Sequence, residues 1–270
     1  MKTYRNRTVL VTGASSGIGE EFARLLAAQG AHLVLTARST DKLEALRASL
    51  EAAHGCTVDV ATKDLSQPGA ATELHQELIS RNLQVDFLIN NAGFGKWGKF
   101  LDFDVDCYIE MINLNVNSLT ELSHLCLPAM LEKGEGGIMN VASTAAFLPL
   151  PYSAVYAASK AYVLMFSEAL YGEFAHKGVH VMALCPGGTE TGFATIANDA
   201  VDLSGASWDS AEFVAREGLD KFLLGKSCYI TGKQNRKAAL LPRLLSRGRV
   251  IKLTTKMWAG MLESHGLNLD

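Results

Sequence analysis

Short, almost unbroken apolar runs alternate with longer stretches in which apolar residues recur every three or four positions. The runs are TVLVT at 8–12, HLVLTA at 32–37, TVDVA at 57–61, DFLINN at 86–91, GIMNVAS at 137–143, VHVMALC at 179–185 and SCYIT at 227–231. Between them the helical period predicts helices at 17–29, 41–53, 69–81, 104–132 and 209–224, and one carrying Tyr156. A strand with one wet face alternates polar and apolar residues. These runs do not alternate, so both faces are expected to be covered, as in a parallel sheet. The βα succession predicts one Rossmann-type, doubly wound α/β domain with a seven-stranded, mostly parallel sheet flanked by helices. No repeat or linker divides the chain. Residues 1–232 are read as the Rossmann-fold domain and 233–270 as a C-terminal extension.

Composition adds two points. At 270 residues, 48% apolar and 20% charged, the chain can bury a sizeable core. The net charge of −3 carries no nucleic-acid signal, but it is unevenly spread. Residues 233–270 hold eight Lys/Arg against Glu263 and Asp270, a net +6, which leaves −9 on the remainder. Five cysteines are scattered without C-x-x-C spacing and read as reduced thiols. No metal-ligand spacing or secretory signal is found, and a cytoplasmic protein is expected. Residues 136–159 carry no charge, yet Asn140, Pro149 and Pro151 make them a poor membrane span.

The candidate chemistry begins with TGASSGIG, Thr12 to Gly19, between the first strand and first helix. Alone, three close glycines can be a mere turn. Between strand and helix they fit a phosphate cradle. Gly13 allows the turn, Gly17 lets backbone approach a pyrophosphate, and Gly19 admits close helix–strand packing. Tyr156 and Lys160 are four residues apart and share a helical face with small neighbours. A phenol ionises at about 10, and a nearby cation lowers that value. Y-x-x-x-K by itself is usually an amphipathic face.

The spacing G-x-x-x-G-x-G, NNAG at 90–93, Asn115 in LNVN, Ser143 thirteen residues before Tyr156, Y-x-x-x-K and PGGTET at 186–191 occur in one order. Together they resemble the short-chain dehydrogenase/reductase family over about residues 6–232. The resemblance implies a carbonyl–alcohol oxidoreductase that uses a nicotinamide dinucleotide. Tyr156 would be the general acid/base. Lys160 would lower its pKa and bind the nicotinamide ribose. Ser143 would hold the substrate oxygen, with Thr144 as a rival hydroxyl. Asn115 would anchor a water linking Lys160 to solvent. Gly13, Ser15, Ser16, Gly17, Ile18 and Gly19 would cradle the phosphates, and Asp64 and Leu65 would touch the adenine. Asn91, Ala92 and Gly93 would lie near the adenosine and also support the sheet. Pro186, Gly187 and Thr191 would meet the nicotinamide, with Thr189 as the alternative hydroxyl. Helix 104–132 and the Tyr156 helix would assemble a homodimer or homotetramer.

The second strand ends in LTARS, with Ala37 where an NAD-binding acid would stand and Arg38 beside it. Guanidinium suits a 2′-phosphate, so NADP(H) is expected to be preferred, with NAD(H) also accepted. Phe94, Trp97, Phe147, Leu148, Tyr152 and Phe193 suggest a large apolar pocket for a ketone or aldehyde, and 192–208 a mobile lid. For 233–260 three accounts stand open: a cover over the pocket or a partner subunit, a solvated extension, or an anchor on anionic lipid. A dinucleotide-binding regulator without turnover and a membrane-surface protein are the alternative functions.

Overall fold

The computed structural model describes residues 3–198, 208–267 and 269. The chain runs β1 (Thr8–Thr12), α1 (Gly17–Ala28), β2 (His32–Thr36), α2 (Thr40–His54), β3 (Val58–Val60), α3 (Ala70–Ser80), β4 (Phe87–Asn90), α4 (Val105–Ile112), α5 (Leu119–Lys133), β5 (Gly136–Val141) and α6 (Ala154–Phe174). It continues through β6 (Val179–Cys185), β7 (Thr189–Glu190), α7 (Phe193–Ala197), β8 (Asp209–Ser210), α8 (Ala211–Leu223) and β9 (Cys228–Ile230). Then come α9 (Lys233–Ala238), α10 (Leu241–Leu244) and α11 (Arg247–Ser264).

The main sheet has seven strands in the order β3-β2-β1-β4-β5-β6-β9, every neighbouring pair parallel. The unbroken apolar runs now have their reason. Successive strand side chains point to opposite faces. Val9 and Val11 pack with Phe22, Leu26 and Phe222 beneath α1 and α8, while Leu10 packs with Leu74, Leu122 and Met130 beneath α3 and α5. Each fully buried Leu or Phe on these faces contributes on the order of 2 kcal/mol.

The order reverses between β1 and β4: the chain leaves β1 for β2 on one side and returns to β4 on the other. A crevice opens at the carboxyl ends of strands at such a switch point. A buried polar network stiffens it from below. Asn90 Nδ2 donates to Asn140 Oδ1 at 2.9 Å and to Ser123 Oγ at 3.2 Å, and Asn140 Nδ2 donates to Ser167 Oγ at 2.9 Å. β4, β5, α5 and α6 are thereby tied together.

The expected helix 104–132 is two helices, α4 and α5, joined by a π-helical segment at Asn113–Ser118. Of the expected lid, residues 193–197 form α7, and 199–207 lie outside the described residues. The extension beyond 232 is helical in three pieces. The inner face of α11 is not solvated: Val250, Thr254 and Leu262 are buried. Among the described residues no helix is long and apolar enough to cross a membrane.

Candidate active site

The crevice is a continuous cavity of about 860 Å³. Its floor is the glycine turn after β1. Gly13 and Gly17 hold φ of +66° and +58°, a region that disfavours a Cβ. A Cβ on Gly13 would stand 2.9 Å from the Ala92 Cα, and one on Gly17 2.9 Å from Thr191 Cγ2. Gly19 lies behind the turn: its Cβ would meet the Gly13 carbonyl oxygen at 2.2 Å. It therefore serves packing and does not line the cavity, unlike Gly13, Ser15, Ser16, Gly17 and Ile18. Thr12 locks the turn to the next strand. Its Oγ1 accepts from the Asn91 and Ala92 amides at 3.0 and 2.9 Å, and Asn91 Nδ2 donates back to the Thr12 carbonyl at 3.0 Å. Asn91, Ala92 and Gly93 line the cavity above this clamp.

At the start of α1, Ser16 makes no side-chain cap bond. The first-turn amides there suit an anion. A dinucleotide pyrophosphate fits this cradle. Beyond it, Arg38, Asp64 and Leu65 line the cavity at the ends of β2 and β3. Asp64 is partly engaged, accepting from the Ser66 amide at 3.1 Å. Two further cations line this end: Lys42, in the first turn of α2, and Lys63, whose Nζ pairs with Glu73 at 3.1 Å. Lys42 stands four residues after Arg38, a spacing visible in the sequence but not weighed there.

At the other end β5 delivers Ser143, and α6 delivers Tyr156 and Lys160. Ser143 has extended backbone and its Oγ accepts from the Ala145 amide at 3.1 Å. The Ser143 side chain lies close enough to the Tyr156 hydroxyl to favour its ionised form. Lys160 is buried and donates from Nζ to the Val141 carbonyl at 2.8 Å. That leaves it 5.8 Å from the Tyr156 ring centroid. Burial opposes the lowering of the phenol pKa expected from a neighbouring cation. It pushes the Tyr156 phenol up to about 12, against the opposing pull of the Ser143 side chain. Burial pushes the Lys160 ammonium down to about 8.

Asn115 lies within the π-helical segment, fully buried behind the cavity wall. Its Nδ2 donates to the Phe94 carbonyl at 2.9 Å and to Ser159 Oγ at 3.0 Å, and its Oδ1 accepts from the Phe94 amide at 3.1 Å. Both amide hydrogens are engaged; one oxygen lone pair remains. It sits close to the ammonium, because a Cβ on Gly93 would touch both Asn115 Oδ1 at 2.9 Å and Lys160 Nζ at 3.3 Å.

Pro186, Gly187, Thr189 and Thr191 line the cavity after β6. Gly187 makes room for a side chain of this chain: its Cβ would stand 2.3 Å from Asn235 Nδ2 in α9. Thr189 Oγ1 donates to the Gly187 carbonyl at 3.1 Å and Thr191 Oγ1 accepts from the Phe193 amide at 3.2 Å, so both hydroxyls brace the loop. Of the apolar candidates, Phe94, Trp97, Leu148 and Phe193 line the cavity. Phe147 packs instead with Val163 and Leu164 in the core, and Tyr152 packs around Trp97. The sequence reading missed Trp208 and the α11 side chains Met257, Trp258 and Met261, all of which line the cavity. Among the described residues no cluster suited to a metal occurs.

A profile of the short chain dehydrogenase family matches residues 7–202. Hydroxysteroid dehydrogenase-like protein 1 of Gallus gallus is 36% identical over 188 residues, 69% of this chain and 56% of that protein. The chain thus spans little more than half the length of that relative. A short-chain dehydrogenase from Sphingobium yanoikuyae, solved in complex with NADPH, is 32% identical with a TM-score of 0.79, covering 87% of this chain and 92% of that one. The bulky-bulky ketone specific alcohol dehydrogenase from Comamonas testosteroni is 28% identical with a TM-score of 0.76, covering 88% and 92%.

Proposed function

Because the chain belongs to the short-chain dehydrogenase family, we propose that it reduces an apolar ketone or aldehyde to the alcohol, with NADPH as the preferred donor. The observation that carries this reading is the meeting of Ser143, Tyr156 and Lys160 in one cavity with the glycine turn. When bound, the dinucleotide supplies the hydride. The chain's own residues handle the oxygen and its proton. Ser143 holds the carbonyl oxygen, and the Tyr156 hydroxyl donates its proton to it. A phenol held at about 12 keeps that proton throughout the neutral range, which suits the reductive direction. The Lys160 ammonium stabilises the phenolate left behind, and the remaining lone pair of Asn115 steadies a water through which a proton returns.

The preference for NADPH rests on Arg38, Lys42 and Lys63 around one end of the cavity. A 2′-phosphate there gains charge-assisted hydrogen bonds. The name of the Comamonas relative speaks of bulky ketones, which agrees with the aromatic lining here.

The test follows NADPH oxidation by absorbance across a panel of ketones and aldehydes. Tyr156→Phe is expected to lower turnover by about a hundredfold or more while NADPH still binds. Comparable turnover by that variant would mean that another group moves the proton. NADPH binding with no turnover of any carbonyl by the native chain would favour the regulatory reading. A second comparison addresses the donor. Arg38→Ala with Lys42→Ala is expected to weaken NADPH binding by about 10- to 100-fold and NADH binding hardly at all. Equal losses would refute the phosphate assignment.

A further inference from the structure

Between Tyr156 and α11 runs an unbroken line of aromatic rings. Tyr156 meets Phe193 with centroids 5.4 Å apart, Phe193 meets Trp97 at 6.0 Å, and Trp97 meets Trp258 edge-on at 5.9 Å and 86°. The four rings come from four segments: α6, α7, the loop after β4, and α11. Phe193, Trp97 and Trp258 belong to a cluster apart from the sheet core, in which Trp97, Ala197 and Leu262 are buried. The loop after β4 is latched to α7. Trp97 N donates to the Ala197 carbonyl at 3.1 Å, Lys96 Nζ to the Ile196 carbonyl at 2.7 Å, and Asn198 Nδ2 to the Trp97 carbonyl at 2.7 Å. α11 completes this cap by its pattern. Val250, Thr254, Trp258 and Leu262 recur at four-residue steps and turn inward, while Arg249, Lys252 and Lys256 are exposed.

We propose that α11 is the selectivity wall of the substrate chamber, and that Trp258, with Trp97 and Met261, holds the body of a fused-ring or similarly broad apolar ketone whose carbonyl lies at Tyr156. This deepens the function proposed above and rests on it. The cavity reaches from Tyr156 to Trp258 and Met261 without interruption. Indole faces and edges take flat alicyclic or aromatic bodies, and methionine side chains adapt to their outlines. A small ketone positioned at Tyr156 leaves this wall untouched. The family match ends at residue 202, so this wall belongs to the part of the chain outside it.

Two ketones of one chemistry separate the readings: 1-tetralone, with two fused rings, and cyclohexanone, with one. Trp258→Ala is expected to lower kcat/KM for 1-tetralone about 10-fold or more, chiefly through KM, and to leave cyclohexanone within about threefold. NADPH affinity, read by nucleotide fluorescence, should be unchanged. A ratio of the two kcat/KM values that is unaltered, or that shifts toward 1-tetralone, overturns the proposal. Should Trp258→Ala fail to fold, Met261→Phe narrows the same chamber and is expected to disfavour 1-tetralone alone; equal effects on both ketones overturn the proposal. Calorimetric titration of 1-tetralone into the NADP⁺-loaded native protein and variant reads the wall without turnover. A native protein that binds 1-tetralone through Trp258 but reduces neither ketone contradicts the reductase function and supports the wall. One that reduces both ketones with no dependence on Trp258 does the reverse.

Discussion

Tyr156 and Lys160 are displaced in opposite senses by one cause, loss of water. The depressed lysine governs the accessible pH range. Below about 8 Lys160 is charged and can stabilise a phenolate. As pH rises through that value it becomes neutral, so kcat/KM for reduction is expected to fall above pH 8, measured with saturating NADPH. Lys160→Arg stays charged and should lose that limb; an unchanged limb in this variant would assign it to another group. For stability the signs differ. Lys160 is depressed from 10.5, so its contribution improves as pH climbs from about 8 to 10.5. Tyr156 is raised from 10.0, so its contribution is lost between 10 and about 12. The identity of these residues was legible because their spacing survives in the chain as letters. Their titration was not, because burial depends on what α6 packs against.

Elements were legible where one physical rule decided them. The five inner strands follow from two-sided burial, and α1 from the glycine turn before it. The π-helical segment at Asn113–Ser118 was not: nothing in LNVNS marks a five-residue hydrogen-bond step, and the neighbouring helical pattern ran straight through it. Such segments often mark functional sites, and here it sets Asn115 against the loop carrying Phe94. The contact between α1 and β1 gives a sharp test. Gly19→Ala places a methyl against the Gly13 backbone oxygen, which has no room to yield. A loss of about 1–3 kcal/mol is expected, seen as a fall of several degrees in Tm, together with weaker dinucleotide binding. An unchanged Tm would mean that α1 shifts freely on the sheet.

For the molecule as a whole, the tail was legible as a charge asymmetry, with a cover over the pocket among three open accounts, but the side chains that line the chamber were not. Its inward residues are spaced correctly, yet Pro242 and Gly248 hid the period, and their partner Trp97 lies more than a hundred positions earlier. One surface remains open. α4 packs against α6, and both expose large apolar side chains, with Val105 at 69% and Met165 at 62%. Tyr162 of α6 bonds Thr120 of α5 at 3.0 Å, so the face is continuous. Pairing of this face with a second copy is expected, as in the dimer or tetramer anticipated from the sequence. Val105→Glu with Met165→Glu should release single chains in sedimentation velocity; a native protein that already sediments as one chain refutes the assembly.

The strand order also imposes a timetable. Residues 8–90 form a contiguous half of the sheet, β3-β2-β1-β4, and carry the glycine turn and Arg38. α11 begins at Arg247. A ribosome adds about 5–20 residues per second. The residues around the nucleotide end of the crevice are therefore made several seconds before α11, the wall proposed to tell a broad ketone from a small one.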